Sequence, residues 1–281
     1  PSLGRSGYYA KVRKADEQKK VVVIGGGVAG CQAAQTLVKR GHEVVLFEKN
    51  EQLGGLLHDI NKLSFKDDML RYTEWLVRTT MKCGANIRLD CEATPEGIMA
   101  ENPDAIVVAT GAIPARPPIP GLDCEHVYNV LDVDSGRVKL SGKVVVCGAG
   151  LSGCESALQL AMDGCEVTVV DQIDEKDFAS GLHPITRQTL LYLLEEYNIK
   201  KLAGHIVRSI GKDGVAIEDK SWNARTLAAD YVVEAFGMKS DDAAINQFRC
   251  LIPDVYVIGD AEEVKNIKQA TLKAYDTCCN I

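Results

Sequence analysis

Positive charge is in short supply in this chain. Over 281 residues, 32 Lys and Arg face 39 Asp and Glu, a formal net charge of −7, so the basic footprint that grips nucleic-acid phosphates is absent. Nucleic acid is excluded as a partner, and an anionic ligand must be held by local geometry. Long apolar runs are missing too. None approaches the ~18 residues that cross a bilayer, and no charged stub with an apolar core opens the chain as a secretory signal would. A soluble protein with no membrane partner is expected. Ten cysteines, at 31, 83, 91, 124, 147, 154, 165, 250, 278 and 279, include no CxxC pair. They sit mostly in apolar segments, which reads as reduced thiols in a cytoplasmic protein, and they supply no zinc or cluster ligand set. The adjacent Cys278 and Cys279 have two readings, half-buried helix residues or a pair able to oxidise or bind a thiophilic metal, of which the first is favoured. His42, His58, His126, His183 and His205 are scattered, with no pair at metal or triad spacing and no cysteine nucleophile beside them to activate. No metal is expected.

Glycine is the one excess, at 25 residues in an otherwise ordinary globular composition, and the length favours two domains. Residues 1–19 lack a sustained apolar period and read as a linker. Val21–Ile24 is a short β-branched run, the mark of a strand buried on both faces of a parallel sheet. Ala29, Ala33, Ala34, Leu37 and Val38 follow at helical spacing, Gly41 stops the helix, and Val44–Phe47 is a second strand. The same βαβ unit recurs with strand Val144–Cys147, helix Glu155–Met162, stop Gly164 and strand Val167–Val170. Gly25, Gly27, Gly30, Gly41 and Glu48 map onto Gly148, Gly150, Gly153, Gly164 and Asp171, every offset being 123. Two nucleotide-binding units in one chain follow. Three more apolar segments end in small residues: 106–111, 231–237 and 255–260. The third is expected to return to the first sheet, so that the second unit is inserted into the first. A further helix is expected from Asp67 to Lys82, with Tyr72 and Trp75 in packing roles.

Each repeat carries GxGxxG between a strand and a helix, with an acid eighteen residues past the last glycine. The first glycine permits the tight turn, the second lets a pyrophosphate reach the backbone, and the third lets helix and strand pack closely, while the helix N-terminus offers unpaired N–H groups. Gly25, Gly27 and Gly30 with Glu48 form the first site, and Gly148, Gly150 and Gly153 with Asp171 the second. Gly54 and Gly55 are expected to allow another close approach at the adenosine end. Gly259–Asp260 is read as the start of the last helix, with the carboxylate on a polyol hydroxyl, as a simple cap, or as both at once. Asp171 accepts from a ribose diol and repels a 2′-phosphate, and Gln172-Ile173-Asp174-Glu175 supplies no Arg to reverse that preference, so NADH is expected over NADPH. Glu155 has two readings, approach to the nicotinamide or stabilisation of the helix N-terminus.

The order GGGVAG, Glu48, LGG, ATGAIP, GAGLSG, Asp171, EAFG and IGDA over residues 20–281 resembles the two-dinucleotide flavoprotein reductases, the family of glutathione reductase. Pro1-Ser-Leu-Gly-Arg, Phe65-Lys-Asp-Asp-Met and the passage into KKVVVIGGG are similar to the C-terminal half of the NADH:flavin oxidoreductases related to Old Yellow Enzyme, which include 2,4-dienoyl-CoA reductase, 2-enoate reductase and trimethylamine dehydrogenase. The resemblance implies an α/β fold of two Rossmann-like domains, FAD on 20–118 and 236–281, and NADH on 119–235. Val28, Ala29, Lys49, Leu56, Ala109, Thr110, Gly111, Leu151, Ser152 and Gly237 complete the implied cofactor-binding set. It implies a flavoprotein oxidoreductase module for electron transfer from NADH through FAD to a barrel domain carrying FMN and an iron–sulfur cluster, which would precede Pro1 in a longer protein. An enoate or similar alkene would be the final substrate. The cofactors supply that chemistry, so no side chain is assigned as catalytic, and homo-oligomerisation is compatible with this picture. Two departures matter. Leu56-Leu57-His58-Asp59-Ile60 stands where a disulfide reductase carries CxxxxC, so a thiol relay is not expected. The equivalent region of trimethylamine dehydrogenase holds ADP, so a non-catalytic ADP scaffold stays open beside FAD.

Overall fold

The apolar run Val21–Val23 is wholly buried in the computed structural model, which describes residues 12–281. In chain order the elements are β1 (Lys20–Ile24), α1 (Val28–Arg40), β2 (Glu43–Phe47), α2 (Leu57–Ile60), α3 (Asp67–Met81), β3 (Asn86–Arg88), α4 (Pro95–Ala100), β4 (Ala105–Val108), β5 (Ala112–Pro114), β6 (Val127–Asn129), α5 (Val130–Asp134), β7 (Lys143–Cys147), α6 (Leu151–Met162), β8 (Glu166–Val170), α7 (Pro184–Glu196), β9 (Lys200–Leu202), β10 (His205–Gly211), β11 (Gly214–Asp219), β12 (Ala224–Leu227), β13 (Tyr231–Glu234), β14 (Met238–Ser240), α8 (Asp242–Asn246), β15 (Val255–Val257) and α9 (Ile267–Cys278). No helix among the described residues is long and apolar enough to cross a membrane.

The chain divides into two units. One comprises residues up to His58, Asp67–Ile113 and Met238–Ile281, and the other Asp59–Lys66 and Pro114–Gly237. The first contains a five-stranded sheet ordered β15-β4-β1-β2-β3, all parallel. One face packs Val22, Ile24, Val45, Phe47, Ile106 and Val108 against Ile98, Ile245 and Phe248, while α1 packs with α3 and α9. Burial on both faces is why these strands read as unbroken β-branched runs. Strand β15 pairs with β4, Val257 opposite Val108. The terminal segment therefore does return to the first sheet, and the second unit is an insertion.

The second unit repeats the order. Its sheet runs β6-β13-β7-β8-β9, again all parallel, so β4, β1, β2 and β3 correspond to β13, β7, β8 and β9. The fifth strand comes from the chain's end in one unit and from the stretch before β7 in the other. An antiparallel meander, β10-β11-β12, buries Val207, Ile210, Val215 and Ile217 with Val145, Cys147 and Val170 of the sheet.

The unit boundaries lie at 113/114 and 237/238 rather than at 118/119 and 235/236, because Ala115 N–H donates to the Gly237 carbonyl at 2.9 Å and ties the proline-rich crossing into the second unit. Asp59–Lys66 also joins that unit. Asp59 pairs with Arg137 at 2.6 Å, Ser64 donates to Gln159 Oε1 at 2.8 Å, and Lys66 pairs with Glu155 at 2.6 Å. Residues 1–11 of the expected linker lie outside the described residues. The remainder is anchored to the first unit, with Ala15 N–H donating to the Arg40 carbonyl at 2.9 Å and Lys19 N–H to His42 Nδ1 at 3.1 Å.

Candidate nucleotide sites

The turn between β1 and α1 is held by steric necessity at two of its three glycines. Gly25 has φ +97°, and a Cβ there would strike the Ala109 carbonyl oxygen; a Cβ on Gly30 would strike the carbonyl of Gly25. Gly27 is different. Its φ of −72° suits any residue and, its chain neighbours apart, no atom of the described residues lies within 4 Å of the position its Cβ would take. Protein packing therefore does not explain this glycine, and the space beside it is open. Gly27 also caps α1, which has no side-chain cap bond and no acid in its first turn, so the leading N–H groups and the positive dipole end are left for an anion.

Glu48 lies buried at the end of β2. Its Oε2 accepts from Gly26 N–H at 2.7 Å and its Oε1 from Asn50 N–H at 2.8 Å and Asn50 Nδ2 at 2.6 Å. Gly54 and Gly55 have φ +118° and +56°, and Gly54 N–H donates to the Gly26 carbonyl at 2.8 Å. The Cβ of a residue replacing Gly55 would sit 3.1 Å from Gly27 Cα, so this pair approaches the fingerprint turn itself. His58 is a satisfied histidine, its Nε2 2.7 Å from the Leu53 carbonyl. Lys49 and Leu56 are exposed, Ala109 is buried, and Val28 begins the helix with Ala29. At the end of β4 the Thr110 hydroxyl is buried and has no hydrogen-bond partner among the described residues, beside Gly111 at φ +77°. Its Cα is 3.3 Å from the Cβ position of Gly25, so this orphaned donor lies next to the turn.

The last helix departs from expectation. Gly259–Ala261 is a single 3-10 turn, and α9 begins at Ile267, capped by Asn266, which accepts from Gln269 N–H at 3.0 Å. Gly259 is a close-approach glycine, since a Cβ there would crowd Ala29 of α1 at 2.7 Å. Asp260 accepts from Lys265 N–H at 3.1 Å, and half-burial raises its carboxyl above the usual carboxylate range. It caps no long helix.

The second turn reproduces the first. Gly148 has φ +118° with the Ala235 carbonyl in the way of a Cβ, Gly153 packs on the Gly148 carbonyl, and Gly150 has φ −64° with nothing within 4 Å of its Cβ position. Asp171 Oδ2 accepts from Ala149 N–H at 2.7 Å and Oδ1 from Ile173 N–H at 3.2 Å. Ala149 and Ile173 lie 123 residues after Gly26 and Asn50, so the repeat extends to these hydrogen bonds. One bond per oxygen leaves Asp171 two acceptor sites, the number that a ribose diol needs. Leu151 and Ser152 open α6, and Gly237 follows β13 at φ +87°.

Glu155 falls outside the first turn of α6, which starts four residues earlier than expected and has no acid there. It does not stabilise the helix N-terminus and is held instead by Lys66, a partner with no local signal in the sequence. Behind them Asp134 is buried, and burial pushes its carboxyl up to about 7 from 3.8; Ser156 and Lys66 pull it back and Glu155 pushes it further up. An acid that holds its proton more tightly when folded contributes stability that is lost as pH rises from about 4 through 7. Asp134→Asn, neutral throughout, should gain on the natural protein across that window by at most roughly 1.4 kcal/mol per pH unit and level off above it. Thermal unfolding between pH 4 and 8 checks this, and a pH-independent difference would sink it.

Family models match most of the chain. Residues 100–274 match the family model described as pyridine nucleotide-disulphide oxidoreductase, and residues 23–87 that of an NAD(P)-binding Rossmann-like domain. The chain is 35% identical to an NADH oxidase of Thermoanaerobacter brockii over 100% of its own length and 44% of the relative's. It is 34% identical to a cinnamate reductase of Clostridium sporogenes, covering 100% of the chain and 42% of that protein. A solved 2-naphthoyl-CoA reductase matches with a TM-score of 0.91 and 32% identity over 100% of this chain and 43% of that one. The chain spans less than half the length of these relatives. With 62% of its residues inside the larger family model, paired fingerprints and matching sheets, the chain belongs to the pyridine nucleotide-disulphide oxidoreductase family.

Proposed function

We propose that this chain is the nucleotide-handling part of an NADH-dependent flavin reductase, with FAD in the unit built on β1 and NADH in the unit built on β7. The observation that carries it is the middle glycine of each fingerprint, which neither backbone conformation nor packing demands and which faces open space in both units. Gly27 and Gly150 would admit the pyrophosphates, the uncapped starts of α1 and α6 would receive their charge, and the Thr110 hydroxyl would find its missing partner. Glu48 and Asp171 would accept from ribose hydroxyls. Bound FAD would take hydride from NADH and release single electrons onward. A barrel with FMN and an iron–sulfur cluster in a longer protein would receive them. A relative named cinnamate reductase supports a conjugated alkene bearing a carboxylate as the final substrate, and one named 2-naphthoyl-CoA reductase extends the class to a conjugated aryl thioester.

The test is the nucleotide released when the purified protein is denatured. One FAD per chain, in a yellow protein that NADH bleaches without oxygen, is the expected result. ADP alone from a colourless protein would identify a non-catalytic scaffold, and absence of any nucleotide binding would refute the assignment of the sites.

A further inference from the structure

We infer that Cys31 and Cys154 are positioning residues, each one arm of a clamp that fixes the second peptide of its nucleotide turn. This rests on the reading of both turns as nucleotide sites. The residue between the first two fingerprint glycines, Gly26 in one unit and Ala149 in the other, has both backbone polar groups tied. Its N–H goes to the acid, Glu48 or Asp171, at 2.7 Å in each case. Its carbonyl accepts from a backbone N–H of the loop after the second strand, Gly54 at 2.8 Å or Ala179 at 2.9 Å. The same carbonyl accepts from a thiol, Cys31 Sγ at 3.1 Å or Cys154 Sγ at 3.3 Å.

Each cysteine directly follows the last glycine of its fingerprint, and the two are again 123 residues apart. A buried cysteine ordinarily serves as a small hydrophobe, and that role needs no particular acceptor. Here two thiols in separate units are aimed at equivalent carbonyls. Both are wholly buried, and burial pushes each thiol up to about 12, with Glu48 or Asp171 adding to the rise. They stay protonated and remain donors rather than nucleophiles. The acid arm is fitted to the clamped residue as well. A Cβ on Gly26 would crowd Leu53 and lie 3.0 Å from Glu48 Oε2, whereas the shorter Asp171 leaves room for the methyl of Ala149. Fixing this peptide holds the turn open before nucleotide arrives, so less ordering is left to binding.

The test compares Cys31→Ala with Cys31→Ser, and Cys154→Ala with Cys154→Ser, in the intact protein. Serine keeps a donor in a polar side chain, and alanine keeps an apolar one without a donor, so packing and clamping predict opposite rank orders. Two quantities are read: amide hydrogen exchange of residues 25–31, 54, 148–154 and 179 in the nucleotide-free protein, and affinity for FAD, NADH and ADP. The alanine variants should exchange faster and bind their unit's nucleotide about 3- to 10-fold more weakly, the worth of a modest hydrogen bond. The serine variants should stay within about twofold of the natural protein, since their donor is retained. Alanine matching the natural protein, or serine faring worse than alanine in both readings, would overturn the clamp. Protected turn amides in a protein that binds none of these nucleotides would uphold the clamp and sink the functional reading instead.

Discussion

Gly27→Val should leave the chain folded and empty the first nucleotide site. Chain neighbours apart, no atom of the described residues stands within 4 Å of the new Cβ, and the φ of −72° is open to valine. The folding cost is that of a poorer helix cap, about 1 kcal/mol. A nucleotide seated there would meet the branched side chain where its pyrophosphate must touch the backbone. A clash of roughly 3 kcal/mol or more weakens FAD by about 100-fold or more. Gly30→Ala is the control with the opposite signature, because its methyl runs into the Gly25 carbonyl and the fold itself is hit. Flavin content and thermal unfolding of the flavin-free proteins separate the two. Gly150→Val should spare flavin and abolish its reduction by NADH. A folded Gly27→Val variant that retains its flavin would show that the cofactor sits elsewhere.

The contrast between these glycines explains what was legible in the sequence. A fingerprint glycine, an apolar run buried on both faces and an acid closing the second strand are each dictated by backbone geometry within some 25 residues. Both βαβ units could therefore be read directly, and the 123-residue offset followed. Helix starts were less visible for a physical reason. The start of α6 is capped by Gly150 with no side-chain bond, so the polar residue that normally marks a helix start is missing there. Asn266 is such a marker for α9, and it lay hidden behind the glycine of the preceding 3-10 turn. Lys66 with Glu155, and Asp134 with Ser156, are brought together only by the packing of the second unit. The cysteines following both fingerprints are evident in the sequence, but their thiols meet the same backbone carbonyl of each repeat only through the folded turn.

Nucleotide choice should follow Asp171. With one backbone N–H on each oxygen, the carboxylate retains two acceptor sites for the hydroxyls of an NADH ribose. The acids that follow it at 174 and 175 already hold two lysines. Lys220 is paired with Asp174 at 2.6 Å and Lys201 with Glu175 at 2.5 Å, so neither lysine is a free partner for a 2′-phosphate that meets Asp171. Leaving such charges poorly paired costs roughly 1–3 kcal/mol, which is about a five-fold to hundred-fold preference for NADH in kcat/KM. The hydrogen bonds to Ala149 and Ile173 decide how the preference can be altered. Asp171→Ala removes the repulsion but also strips both N–H groups of their acceptor, so the turn loosens and NADH is lost faster than NADPH is gained. Asp171→Asn keeps an oxygen for Ala149 N–H and should narrow the ratio at less cost. Adding Gln172→Arg, at an exposed position, should invert it through a charge-assisted phosphate contact. The measurement is the ratio of kcat/KM for the two nucleotides with a dye acceptor. A natural protein that prefers NADPH would mean that Asp171 serves the turn alone, with no part in reading the ribose.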